Sequence, residues 1–248
     1  MAATNQREAQ TAAERLLEQL AVAGIPERAS RERAYLKSAL QHYGVPVPQV
    51  RALTKAWLRA EAISDHDEVM AAAAALWDSP VYESRSAAVE VLVARRRKLR
   101  DGDLPTCGVM LQQAQTWALV DPLAINVVGW ICRVEPSQEA GSVLDRWAVD
   151  QDFWLRRAAL LSQLPVVRTA EGNPSRFFGY ADAMLGEGEF FIRKAIGWVL
   201  RDMGRRRRDE VFEWFLPRAA RASGVTTREV VKILDEGQRA AIVAARTC

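Results

Sequence analysis

The sequence is poor in the side chains that most enzymes use to hold metals or activate nucleophiles. Its three cysteines, Cys107, Cys132 and Cys248, are an odd number and lie far apart in 248 residues. They do not form a disulfide framework and suit a reducing, cytoplasmic setting. The only histidines, His42 and His66, have no cysteine or second histidine at ligand spacing, so no metal site is expected. The phosphate-binding pattern G-x-x-x-x-G-K-[ST] is absent, as are G-x-G-x-x-G, G-x-S-x-G and H-E-x-x-H. No apolar run approaches the roughly 20 residues needed to span a bilayer. Residues 1–10 are polar and lack the apolar stretch of a secretory signal. No cofactor and no membrane partner is expected. A reaction run by this chain must rely on carboxylates, aromatic rings and cations.

What is present is enough for a packed core. Hydrophobic residues make up 49% of the chain and charged residues 26%, with a formal net charge of only +3. No composition shift marks a boundary, so residues 1–248 are expected to form one domain. Period-2 alternation is scarce, whereas helix punctuation recurs. Ser64-Asp65-x-x-Glu68 and Thr226-x-x-Glu229 have the form of capping boxes. Ser79-Pro80, Asp121-Pro122 and Asn173-Pro174 each put a capping residue before a proline at the first helical position. These signals predict an all-α chain of about 13–14 helices. They fall near 6–22, 30–42, 47–60, 65–77, 80–98, 104–117 and 122–134, then 137–149, 151–164, 174–186, 188–204, 207–222 and 227–246, the last split at Gly237. Trp77, Trp117, Trp154 and Trp198 follow one another at 40, 37 and 44 residues. HEAT-like helical pairs repeat every ~40–47 residues, so the spacing favours a stacked α-α superhelix, although four tryptophans also suit plain core filling.

Three segments carry chemistry. Trp117-Ala-Leu-Val-Asp121-Pro122 reads locally as a helix end followed by an N-cap, since the residue before proline avoids helical geometry. At such a junction a carboxylate can also be aimed out of the scaffold. In Phe153-Trp154-Leu155-Arg156-Arg157, Trp154 and Arg157 share a helix face while Arg156 lies about 100° away. Lys194, Trp198 and Arg201, at i, i+4 and i+7, form one stripe of two cations beside an indole, and Gly197 between them suggests a close approach. Arg95-Arg96-Arg97-Lys98, Arg100 and Arg205-Arg206-Arg207-Arg208 add basic clusters. Each is compatible with an ordinary solvated face; together they point to a polyanionic partner.

The same segments resemble the AlkD-type family of DNA alkylation repair enzymes over most of the chain. Tyr35-Leu36-Lys37 and Gly44-Val45-Pro46-Val47-Pro48 are similar to the family's N-terminal helical pair. Trp117 and Asp121 match its tryptophan and catalytic aspartate, and Trp154-Leu-Arg-Arg157-Ala-Ala matches its segment with a phosphate-contacting arginine. The most specific match is the run from Phe190 to Arg201, and Thr227-Arg228-Glu229 resembles the start of its C-terminal helix. The resemblance implies a HEAT-like fold whose basic concave face cradles double-stranded DNA, acting as a monomer without metal. It also implies hydrolysis of the N-glycosidic bond of N3- and N7-alkylated purines with the base left stacked. Asp121, Trp117 and Trp198 would be the catalytic group; Arg157, Arg201, Lys194, Tyr35, Arg156 and Arg228 would contact DNA. Thr116 and Pro46 depart from the family pattern, which leaves open a branch specialised for bulky adducts of a DNA-damaging natural product. A non-catalytic DNA-binding solenoid and a protein-binding repeat remain as alternatives.

Overall fold

The computed structural model of the protein describes residues 2–134, 136–169 and 171–247, with only the backbone for 2–5. The chain folds into two compact units, Met1–Leu123 and Ala124–Cys248. Among the described residues there is no strand, only an isolated bridge between Gln41 and Val81. The all-α expectation therefore holds.

The first unit contains α1 (Ala2–Val22), α2 (Pro26–Leu36), α3 (Val47–Ala60), α4 (His66–Trp77), α5 (Tyr82–Ala94), α6 (Leu104–Ala114) and α7 (Trp117–Leu123). Here α4 packs on α5 and α1, and α3 packs on α5 and α1. Leu16, Leu20, Trp57, Leu76 and Leu92 fill the space between them. The indole N–H of Trp57 donates to Ala12 O at 2.8 Å, so the largest core side chain carries no orphaned donor.

The second unit opens with a π-helical turn, Ala124–Val128. It continues with α8 (Gly129–Val134), α9 (Gln138–Ala148), α10 (Phe153–Leu161), α11 (Leu164–Val167) and α12 (Ser175–Met184). Then come α13 (Phe190–Gly204), α14 (Arg208–Phe215), α15 (Gly224–Val230) and α16 (Glu236–Thr247). In this unit α10 packs on α9 and α13, and α13 packs on α15. Phe177, Ile196, Met203 and Phe215 are completely buried.

Within each unit, ion pairs tie one helical layer to the next. Arg51–Glu90, Arg156–Glu187, Arg168–Asp202 and Arg218–Asp182 join residues 39, 31, 34 and 36 positions apart, about one helical pair along the chain. The tryptophan spacing, by contrast, does not mark equivalent positions. Trp77 ends α4, Trp117 begins α7, Trp154 is second in α10 and Trp198 lies in the middle of α13.

Some local signals are obeyed and others overruled. The Asp65–Glu68 capping box forms with both reciprocal bonds. The box expected at Thr226 does not. Ser223 caps α15 instead, with its Oγ accepting from Thr226 N at 3.1 Å, while the Thr226 hydroxyl turns inward to Arg193 O at 3.0 Å. Helix α2 stops at Leu36 rather than continuing to 42, because Lys37 adopts a left-handed conformation with φ 49°.

The largest correction concerns Asp121. Gln115, with φ 51°, ends α6, and the carbonyl of Thr116 accepts the first bonds of a new helix from Leu119 and Val120 at 3.2 and 3.1 Å. Trp117 therefore starts a helix, and Asp121-Pro122 lies inside it rather than at its start. A proline inside a helix costs ~3 kcal/mol, because it lacks an N–H and its ring meets the carbonyl four residues back. Leu119, Val120 and Leu123 are essentially fully buried, and each such side chain contributes ~1.5–3 kcal/mol. Burial wins. Directly after Pro122 the backbone widens into the π turn, where a helix absorbs a break in its ladder. The run Trp117–Val134 has the length and hydropathy of a membrane span, but half of it is buried, as in a core helix.

Candidate functional site

In the first unit, Trp117 and Asp121 lie four residues apart on α7 and so share one face, a turn before the π segment. Trp117 is half-buried and Asp121 only 8% exposed. Tyr35, at the end of α2, is 74% exposed and meets the Trp117 ring edge-on, with centroids 6.1 Å apart. Phenol and indole thus make an aromatic corner beside a carboxylate. Indole and phenol faces attract cations and flat cationic rings. Thr116, buried, holds the start of α7 and has no free face for contacting a ligand.

In the second unit, the expected stripe on α13 is present. Lys194 is exposed, and Trp198 and Arg201 are half-buried. Lys194 Nζ lies 6.0 Å from the Phe190 ring centre. Arg201 is ion-paired with Glu229 of α15, which also accepts from Lys232 Nζ at 2.6 Å. These two cations draw the Glu229 carboxyl below its ordinary value against the opposing effect of burial. Arg228, the neighbour of Glu229, is exposed.

Trp154 and Arg157 share a face, as the helical spacing requires, and both meet Phe191. Trp154 is 4.9 Å from its ring centre and the Arg157 guanidinium 5.7 Å. Arg157 also donates to the Phe191 carbonyl and is only 1% exposed. Its charge is therefore held inside the protein, not displayed to solvent. Arg156 points elsewhere and pairs with Glu187 through two bonds, at 3.0 and 2.9 Å.

Nothing in the local pattern marks Glu187 and Glu229 as partners of Arg156 and Arg201. They lie 31 and 28 residues beyond their arginines, one helical layer on, where no local pattern reaches. The basic runs also divide. Arg95 Nε donates to Ile63 O at 2.9 Å, and Arg207 donates to Gly172 O, while Arg97, Lys98, Arg205 and Arg206 are exposed.

The family model described as DNA alkylation repair enzyme matches residues 16–234. No curated protein matches the chain significantly. Among solved structures, a predicted DNA alkylation repair enzyme from Enterococcus faecalis is similar with a TM-score of 0.75 at 23% identity, over 86% of this chain and 97% of that one. AlkD2 from Streptococcus mutans is similar with a TM-score of 0.53 at 16% identity, over 82% of this chain and 89% of that one. At such identities these likenesses establish the fold. The family match spans both units and includes the residues around Tyr35, Trp117, Asp121, Arg157 and Trp198, so the chain belongs to the DNA alkylation repair enzyme family.

Proposed function

We propose that the protein is a DNA glycosylase that hydrolyses the N-glycosidic bond of N3- and N7-alkylated purines in duplex DNA, leaving an abasic site. The observation that carries this reading is the pairing of Trp117 and Asp121 on one face of α7, with Tyr35 against the indole. An N3- or N7-alkylated purine already carries positive charge, so it departs neutral and needs no acid. What must be stabilised is the sugar, which becomes cationic as the bond breaks. A carboxylate ~4 Å from a unit positive charge is worth ~1 kcal/mol in water and ~4 kcal/mol at the effective dielectric of a protein site. The low exposure of Asp121 favours the larger figure, which corresponds to a rate factor of roughly a thousand.

Trp117 supplies an aromatic face to the cationic nucleotide, a contact worth ~0.5–2 kcal/mol, and Trp198 on α13 offers a second aromatic face to DNA. Lys194 and Arg228, exposed among the cations the resemblance assigns to DNA, are the readiest phosphate contacts. Arg201 and Arg156 join them by exchanging a carboxylate for a phosphate. Arg157 contributes as a buried cation that fixes the Phe191 backbone. Following the family resemblance, the lesion is attacked from its sugar–phosphate side while still stacked, which accommodates bulky adducts.

The burial of Asp121 favours one competing reading, in which it is structural and the protein binds DNA without cutting it. Incubating the protein with duplex DNA containing 7-methylguanine or 3-methyladenine separates the two. The proposal expects free base and an alkali-labile site. Salt-sensitive binding without base release supports the non-catalytic reading.

A further inference from the structure

Linear spacing gave no metal ligands, but folding of the first unit brings three together. Glu32 lies on α2, His42 on the segment joining α2 to α3, and Glu83 on the first turn of α5. One ligand atom from each lies within 4.8 Å of the others. The His42 side chain is 1% exposed, and neither ring nitrogen has a hydrogen-bond partner among the described protein atoms; nor does Glu32 Oε2. An unsatisfied buried polar atom costs ~1–3 kcal/mol, so His42 Nδ1 and Glu32 Oε2, facing one another, call for an occupant between them.

The geometry narrows the choice of occupant. His42 Nδ1 and Glu32 Oε2 are 3.6 Å apart, beyond a direct N–H···O bond. Two ligand atoms each ~2.1 Å from a tetrahedral cation lie ~3.4 Å from one another, close to the observed separation.

The surroundings are those of a prepared site. Arg28 donates to Glu32 Oε1 at 2.7 Å, which leaves Oε2 directed at His42. Tyr82 stacks on the imidazole with ring centres 4.5 Å apart and planes 8° from parallel. Backbone N–H groups of Gly44 and Val45 both bind Glu83 Oε1, whereas only Tyr43 N, at 3.0 Å, binds Oε2, which keeps a lone pair open. Gly44, with φ +81°, lets the chain fold tightly over that carboxylate.

We propose that Glu32, His42 and Glu83 bind a divalent cation of the zinc class, through His42 Nδ1, Glu32 Oε2 and Glu83 Oε2, with water completing the shell. The ion ties α2 to α5 one turn before Tyr35, and so steadies the aromatic corner without taking part in base release.

The test uses the full chain, stripped with a chelator and titrated with Co2+. The expected result is one equivalent of cobalt with the visible absorption of a tetrahedral site, displaced by Zn2+, and a higher thermal midpoint with zinc. His42→Ala should abolish the cobalt signal and Glu32→Gln should weaken binding at least tenfold, with helical circular dichroism retained. If His42→Ala does not fold, histidine NMR of the wild-type protein decides. Zinc must shift the His42 ring signals and leave those of His66 in place. No saturable uptake, or uptake unchanged in His42→Ala, overturns the proposal, as does a protonated His42 ring that ignores zinc.

Discussion

Alanine at two glycines of the second unit should move stability in opposite directions. Gly197 sits in the middle of α13 and Gly179 within α12, so each substitution gains ~1 kcal/mol of helix propensity. At Gly179 the added methyl meets nothing within 4 Å, and the whole gain should appear. At Gly197 it meets Glu229 Cβ at 2.9 Å, Glu229 Cγ at 3.1 Å and Thr226 Cα at 3.2 Å. None of these atoms yields easily. Thr226 is pinned by its bond to Arg193 O, and the Glu229 carboxylate is held by Arg201 and Lys232. Overpacking of this kind costs ~1–3 kcal/mol, which exceeds the gain. The expected outcome is Gly179→Ala about 1 kcal/mol more stable than the parent and Gly197→Ala about 1 kcal/mol less stable. For a chain of this size that separates their thermal midpoints by roughly 4–8 °C. Urea denaturation with unchanged slope is the assay. A Gly197→Ala protein as stable as the parent would refute the claim that this glycine exists for the α13–α15 approach.

Replacing Pro122 with Ala restores a backbone donor inside α7, so stability should rise by about 1–3 kcal/mol in urea titrations. The register of Asp121 is set from Thr116 at the start of α7, so base release should be retained; its loss would tie the proline to function. The His66 imidazolium is favoured by its hydrogen bond to Asp67 and further by Asp103, against burial and Arg100. With its pKa raised above the ordinary 6.5, its contribution is fully present below that value and is lost as pH climbs through the folded-state pKa. The parent should therefore lose more urea resistance than His66→Gln between about pH 6 and pH 8; parallel losses contradict the assignment. Lys194→Ala and Arg228→Ala should each lower the salt dependence of DNA binding by about one counterion, read from binding isotherms at several salt concentrations. Arg157→Ala should instead remove a buried side chain together with its bond to the Phe191 carbonyl, and cost about 1–3 kcal/mol of stability.

The fold was legible where local chemistry and packing agree. Val47–Ala60 and the capped start at Asp65 fall where the sequence puts them. It was misread where they disagree. The residue before a proline avoids helical geometry in isolation, yet α7 runs through Asp121 because its apolar neighbours are buried. Thr226 has the spacing of a capping residue, but Ser223 captures its N–H first. In the candidate site, Trp117 and Asp121 were visible as a spaced pair. The contact of Tyr35 with Trp117, spanning 82 residues, and the carboxylates facing Arg156 and Arg201 depend on which helices stack, which no local pattern encodes. Glu32, His42 and Glu83 escaped notice for the same reason.

The most direct measurement of the central claim is single-turnover release of 7-methylguanine from duplex DNA by the parent protein and by Asp121→Asn, with DNA affinity measured in parallel. The substitution keeps the size of the side chain and removes its charge. Release slowed by about a thousandfold at unchanged affinity is the predicted result. Release at the parental rate would contradict the assignment of Asp121 as the group that meets the sugar cation.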